Sequence, residues 1–214
     1  MSAIVAERLT HWFGSEQALD AVDLVMDRGD HVAVLGENGA GKTTLLRILA
    51  TALRPSSGKL EIMGLDPTQE KQRLRGRMGY VAHTPGVYPA LTAEENLAFF
   101  CDLRGADRAR VPEALEMAGL TGVARRRASD LSRGLQQRLA IARAVLHEPL
   151  LLILDEPDAS LDAEGAEMLA RVMKGRTVVL ATHDQALATR LCQRTLLLRK
   201  GRVFGTGSRL RIVQ

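Results

Sequence analysis

The sequence runs to 214 residues, 46% hydrophobic and 25% charged, with a formal net charge of +4; this allows one domain with a sizeable core, or a core with a subdomain, of ordinary soluble composition. Its longest aliphatic run, Leu150 to Leu154, is much too short to span a bilayer. The N-terminus lacks the basic-then-apolar pattern of a signal peptide, and Cys101 and Cys192 stand far apart without metal spacing, as expected of reduced thiols in a cytosolic protein. The small positive excess suits an anionic ligand, an anionic membrane surface or nucleic acid without choosing among them.

In chain order, Ile4 to Leu9 and Leu19 to Met26 read as strands, punctuated by Gly14 and Gly29. Val32 to Leu35 is a short apolar run that reads as a buried strand. Gly36 to Gly41 reads as a tight loop. A helix follows from Lys42, with Leu45, Leu46, Leu49 and Leu53 at helical spacing and Pro55 just past its end. Lys59 to Met63 and Met78 to Ala82 are further strands. Thr92-Ala-Glu-Glu95 has the spacing of a capping box and opens a helix with Leu97, Phe100 and Leu103. Pro112 to Gly119 predicts a short helix with Pro near its start and Gly at its end. Ser132 reads as the N-cap of a helix carrying Leu135, Leu139, Ala142 and Leu146 on one face and stopping at Pro149. Residues of about 84–148 are thus expected to form a mostly helical insert. Strand pattern returns at Leu150 to Leu154, Thr177 to Ala181, Thr195 to Leu198 and Arg202 to Phe204, with helices near 163–173 and 184–193. Strands alternating with helices imply an α/β fold whose largely parallel sheet is covered on both faces.

Gly36-x-x-x-x-Gly41-Lys42-Thr43 is the phosphate-binding P-loop pattern, in the strand–loop–helix setting that the pattern requires. Across Gly36, Glu37, Asn38, Gly39, Ala40 and Gly41 the glycines let backbone N–H groups turn inward around phosphate oxygens, and the helix N-terminus adds positive partial charge. Lys42 would reach the β- and γ-phosphates, the Thr43 hydroxyl would sit on Mg²⁺, and Thr44 is free for another phosphate oxygen. Leu150 to Pro157 is an apolar strand ending in Asp155 and Glu156, so both carboxylates arrive at the sheet edge where α/β folds bind ligands. Mg²⁺ needs only one carboxylate beside its waters, which suits Asp155. Glu156 could orient or deprotonate the attacking water. Ala181-Thr182-His183-Asp184 ends another strand, and His183 there could hydrogen-bond the γ-phosphate and link it to Glu156. Ser132 and the free N–H groups of its helix make a second anion site. Two phosphate-binding devices so far apart suggest two chains meeting head to tail, each covering the other's nucleotide.

In this order, the P-loop at 36–43, Leu-Ser-x-Gly at 131–134, the strand with Asp-Glu at 150–156, Ser160-Leu161-Asp162 and Thr182-His183-Asp184 resemble the motif set of ABC-type ATPases over essentially the whole chain. The resemblance implies a P-loop (RecA-like) α/β core with an N-terminal antiparallel β part and an inserted helical subdomain, as a single nucleotide-binding domain over 1–214. It implies Mg²⁺-dependent ATP hydrolysis by a homodimer with ATP at its interface. Each site would join the P-loop of one chain to Ser132 and Gly134 of the other, with Ser160 to Asp162 crossing the interface. Phe13 matches the adenine-stacking aromatic, with Trp12 as the fallback. Integral membrane transporter subunits are the implied partners, at the cytoplasmic face of the membrane, and no nucleic acid is expected. The chain departs from the family at Arg133, usually Gly, at Leu135, usually Gln, and at His83, usually a Gln that senses Mg²⁺ and water. A neutral imidazole is a poor partner for Mg²⁺, so His83 is expected to act through water or to be compensated by the backbone around Thr84.

Within that family, His83 with Pro85-Gly86, the run Leu91 to Leu97 and the Ser-Arg-Gly signature look like the ATP-binding subunit of the haem exporter used in cytochrome c maturation. Exporters of drugs or polysaccharides share the Arg-containing signature. Other classes fit less well. A soluble ABC ATPase acting on nucleic acid or the ribosome usually carries two such domains or a long coiled coil, a P-loop kinase has no use for Leu-Ser-x-Gly, and a GTP switch would need an Asn-Lys-x-Asp pattern that does not occur. Arg125 to Arg127 reads as a solvated face.

Overall fold

The computed structural model describes residues 2–207. Two sheets organise the chain. Strands β1 (Ser2–Phe13), β2 (Glu16–Asp27) and β4 (Ser57–Ile62) form an antiparallel sheet in the order β2-β1-β4. A six-stranded sheet has the order β5-β6-β7-β3-β8-β9, from β3 (His31–Leu35), β5 (Met78–Val81), β6 (Leu151–Asp155), β7 (Thr177–Ala181), β8 (Arg194–Arg199) and β9 (Arg202–Gly207). Its first five strands are parallel and β9 closes it as an antiparallel edge.

Side chains on a strand alternate between faces, and here both faces are covered. Val32, Val34, Leu151, Ile153 and Val179 pack with Ile4, Leu9 and Leu24 of the antiparallel sheet and with Leu45, Leu46 and Leu49 of α1 (Lys42–Leu49). The intervening Ala33, Leu152, Leu154, Val178 and Leu180 join the second core. There they meet α3 (Ala93–Arg104), α4 (Arg110–Met117), α5 (Arg133–Val145) and α6 (Ala163–Met173). Strands buried on both faces read as unbroken apolar runs, which is why β6 and β7 were recognisable. The crossover from β5 to β6 carries α3, α4, two short 3-10 turns and α5, as the expected helical insert requires.

Local signals decide the helix starts. Thr92 Oγ1 accepts from the Glu95 N–H at 3.1 Å, and Glu95 Oε2 accepts from the Thr92 N–H at 2.8 Å. These two bonds complete the capping box, and the Thr92 N–H, with help from the Thr92 side chain, holds the Glu95 carboxyl below its ordinary range. Behind it, fully buried Asn96 takes the Tyr88 N–H on Oδ1 and donates through Nδ2 to the carbonyls of Tyr88, Leu91 and Thr92. That side chain shapes the turn entering α3.

Two expectations need correction, and one short helix had no sequence signal. α1 ends at Leu49, so Leu53 lies beyond it. Thr51 takes a left-handed φ of 56°, and its hydroxyl and carbonyl both accept from Arg75, which turns the chain out of the helix. Leu103 is 62% exposed rather than part of the apolar face of α3. The five-residue α2 (Lys71–Arg75) had no apolar period long enough to reveal it.

Candidate nucleotide site

The loop between β3 and α1 is where the central strand opens. Gly41 caps α1 with φ 103° and no side-chain bond. A Cβ there would lie 2.6 Å from Ala18 O and 2.9 Å from Leu19 Cδ2, so only glycine fits. No acidic residue of α1 itself occupies its first turn. Lys42 is buried and folds back over the loop, Nζ donating to the Gly36 carbonyl at 2.8 Å and the Glu37 carbonyl at 3.1 Å. Glu37, Asn38 and Gly39 form the exposed crest, Ala40 packs beneath, and the Ala40 N–H donates to the Glu37 carbonyl at 3.1 Å. Thr43 is exposed and Thr44 half-buried.

β6, two strands away beyond β7, delivers the carboxylates. Thr43 Oγ1 donates to Asp155 Oδ1 at 3.2 Å. Asp155 is only 1% exposed, and its Oδ2 is buried without a partner. Loss of hydration raises the Asp155 carboxyl above its ordinary 3.8, and the nearby Glu156 charge adds to this against the opposing Thr43 bond. Glu156 follows in a left-handed conformation, φ 50°, its N–H donating to the Ala181 carbonyl at 2.9 Å. Its carboxylate stands between two imidazoles, with Oε1 2.5 Å from His183 Nε2 and Oε2 3.2 Å from His83 Nδ1. His83, met in the sequence as a substitute beside Mg²⁺ and water, is thus a direct neighbour of Glu156. A 510 Å³ cleft opens here, lined by Gly36, Glu37, Thr182 and His183. The larger 640 Å³ cleft lies between β4 and the end of α1 and contains none of these groups.

The fold brings Gly36 to Thr44, Asp155, Glu156, His83 and His183 together. Among the described residues, no hydrogen bond or ion pair joins the other expected residues to this group. Trp12 and Phe13 end β1, 45% and 47% exposed. As strand neighbours they point to opposite faces, and Phe13 shares the side of His11, their rings 4.6 Å apart. Ser132 is the exposed N-cap of α5, its Oγ accepting from the Leu135 N–H at 3.3 Å. Gly134 lies so close to the 160 turn that a Cβ would sit 2.7 Å from Ser160 O. Asp162 caps α6 by accepting the Gly165 N–H at 2.9 Å and pairs with Arg138 of its own chain. Arg138, 3% exposed, also holds Glu164 at 2.9 Å. Among the described residues, no bond joins Ser132, Gly134 or Asp162 to the P-loop. Sequence reasoning passed over Arg138 and Asp158. Their types and positions carry no motif signal, and only the folded contacts reveal them.

The Asp155 environment has a consequence for stability. A carboxyl whose folded pKa is raised binds its proton more tightly when folded. Stability is then unpenalised below 3.8 and falls as pH rises through and above that value. Asp155→Asn keeps an acceptor for Thr43 and removes the charge. In EDTA without nucleotide it is expected to be more stable than wild type at pH 7, with the gain vanishing below 3.8. Urea denaturation across pH checks this; equal stability at pH 7 would count against a charge penalty at Asp155.

Residues 19–159 match the sequence model of a family described as ABC transporter. The chain is 38% identical over 216 residues to a probable sulfate/thiosulfate import ATP-binding protein of Chlorella vulgaris, covering 96% of this chain and 91% of that one. Against the sulfate/thiosulfate import ATP-binding protein of Synechococcus elongatus it is 38% identical over 215 residues and spans 62% of that longer protein. Among solved structures it is similar to the dimeric post-hydrolysis state of the ATP-binding cassette MJ0796 bound to ADP and Pi, with a TM-score of 0.85, 30% identity, and coverage of 95% of this chain and 97% of that one. With a P-loop, a strand-end Asp-Glu pair and a histidine closing on that glutamate in one fold, the chain belongs to the ABC transporter family, as its ATP-binding and ATP-hydrolysing subunit.

Proposed function

We propose that this chain, as a single nucleotide-binding domain over 1–214 with a helical subdomain at about 84–148, powers export through separate integral membrane subunits from the cytoplasmic face of the membrane. The observation that carries the hydrolytic part is Glu156 held between His83 and His183, one residue past a buried Asp155 whose Oδ2 lacks a partner. An orphaned carboxylate oxygen beside a threonine hydroxyl is a hard-oxygen donor set, which fits Mg²⁺. Thr43 and Asp155 would hold the ion, whose charge offsets that of the phosphates when bound. The P-loop N–H groups and Lys42 bind and orient the phosphates, with Thr44 free for another oxygen. Glu156 orients the attacking water and takes its proton as the water oxygen bonds to the γ-phosphorus and the bond from that phosphorus to the β–γ bridging oxygen breaks, releasing ADP and phosphate. His183 holds Glu156 and reaches for the γ-phosphate. His83, on the other carboxylate oxygen, tunes that geometry. Phe13 stacks on adenine.

Ser132 and Gly134 serve the nucleotide of a second copy, in a homodimer with ATP at the interface, with Asp162 in the turn that crosses it. The exposed cap of α5 and its separation from the P-loop in one chain support this reading. For the membrane partner, the turn before α3 offers an aromatic surface. Tyr88 and Phe99 are exposed with rings 4.9 Å apart, and Arg143 lies over Phe100 at 4.7 Å. Val87 and Leu91 beside them are half-buried, and Val87 packs against the helical core. Among the described residues no helix is long and apolar enough to cross a membrane, in keeping with a peripheral subunit. The cargo we propose is haem for cytochrome c biogenesis, on the strength of His83, Pro85-Gly86, the Leu91 to Leu97 run and Ser-Arg-Gly.

Glu156→Gln is expected to abolish turnover while retaining ATP and prolonging the dimer, and Ser132→Arg to block dimerisation while sparing nucleotide binding. ATPase assays with sedimentation in the presence and absence of ATP check both; wild-type turnover in Glu156→Gln, or an ATP-independent mass, would count against the site. His83→Gln should keep activity, whereas His83→Ala should slow turnover about 10-fold, or ~1.4 kcal/mol of barrier. Equal rates in both would leave His83 without a role in hydrolysis. Cys substituted at position 88 should crosslink to a multi-span protein when the chain is recovered from membranes. Deleting the chain should deplete matured c-type cytochromes; undiminished cytochromes would exclude haem as the cargo.

A further inference from the structure

Asp158 lies two residues beyond Glu156, in the turn before α6, and no motif in the sequence draws attention to it. Its Oδ2 accepts from Thr182 Oγ1 at 2.7 Å. Thr182 is fully buried, and its hydroxyl oxygen in turn accepts from the Asp184 N–H at 3.0 Å. Asp184 Oδ1 then caps the following helix, α7 (Gln185–Leu191), taking the N–H groups of Ala186 and Leu187 at 2.8 and 3.0 Å. A continuous relay therefore runs from the turn after Glu156, through the residue before His183, to the helix after it.

Two further bonds tie the same segments. The Glu156 N–H donates to the Ala181 carbonyl, and the Glu156 carboxylate meets His183. Glu156 sits at a positive φ of 50°, a conformation that a non-glycine residue holds only when its surroundings impose it. The other oxygen of Asp158, Oδ1, is buried with no partner. A buried carboxylate oxygen without a donor is costly, so packing alone does not account for a carboxylate here. What the carboxylate supplies is a strong acceptor that selects one orientation of the Thr182 hydroxyl.

We propose that Asp158 is a positioning residue that acts through the Thr182 hydroxyl to hold His183 against Glu156. This rests on the reading of Glu156 and His183 as the hydrolytic pair. Without the Asp158 bond the Thr182 hydroxyl loses its acceptor and the 182–184 loop loses one of its two ties to the 156–158 turn, the remaining link from Glu156 going to Ala181 at the end of β7. The imidazole then shifts relative to the carboxylate. Nucleotide binding by the P-loop does not involve this contact, so the effect falls on turnover rather than on affinity.

The test is steady-state ATPase kinetics on the purified full-length chain, with thermal melting in parallel, for Asp158→Ala, Asp158→Asn, Thr182→Val, Thr182→Ser and the Asp158→Ala/Thr182→Val double variant. Asp158→Ala and Thr182→Val are each expected to lower kcat about 10-fold with KM for ATP within about two-fold of wild type. The double variant is expected to be no slower than either alone, because both remove one bond. Asp158→Asn, whose amide oxygen still accepts from Thr182, and Thr182→Ser should stay within about three-fold of wild type. Wild-type kcat in folded Asp158→Ala, or single effects that multiply in the double variant, would overturn the assignment. If Asp158→Ala does not fold, the Thr182 pair decides: a slow Val variant with a normal Ser variant supports the relay, and equal rates overturn it. An inactive wild-type chain would instead overturn the hydrolytic reading itself.

Discussion

Burial of the Asp155 carboxylate at the end of a strand covered on both faces is the constraint around which the site is arranged. Removing a carboxylate from water is expensive unless hydrogen bonds or a counter-charge replace its hydration. Thr43 replaces part of it, and one oxygen is left over. The cost is carried by the flanking core, where each buried Leu or Ile contributes roughly 1.5–3 kcal/mol relative to exposure. The four aliphatic residues before Asp155 on β6 are all buried. A strand with water on one face would leave the carboxylate hydrated, and little would remain to favour a ligand over solvent.

The same sheet explains why the reacting groups converge. β3, β6 and β7 are parallel and run in the order β6-β7-β3, so their C-terminal ends lie along one edge. The P-loop leaves β3, Asp155 and Glu156 end β6, and Thr182 and His183 follow β7. Residues separated by more than a hundred positions meet because three strands stop on one line. His83 reaches Glu156 by the same rule, two residues past the end of β5.

The helical crossover carries a different kind of information. α5 presents Ser132 at its N-terminus while Arg138, six residues further along, is buried against Asp162 and Glu164. Gly134 touches the 160 turn from the same helix. The N-terminal end of α5 and the turn that leads back to Glu156 are therefore parts of one packed unit.

Much of this was legible in the sequence, for physical reasons that differ by residue. The P-loop could be read because its glycines and Lys42 must be contiguous to wrap a phosphate. β6 and β7 could be read because burial on both faces demands unbroken aliphatic runs. The α3 capping box and the Ser132 cap could be read because capping is decided within four residues. α1 was read four residues too long because Thr51 leaves the helix to bond Arg75, a partner 24 positions away. Leu103 looked buried by period yet faces solvent, since helical periodicity defines a face but not what covers it. The sequence by itself determined the chemistry, namely which residues carry phosphate-binding backbone, carboxylate and imidazole. Tertiary structure alone decided their pairing: His83 and His183 on opposite oxygens of Glu156, Asp158 under Thr182, and Arg138 under Asp162. Those contacts join residues 24 to 73 positions apart, and distance along a chain fixes no distance in space until the strands have taken their order.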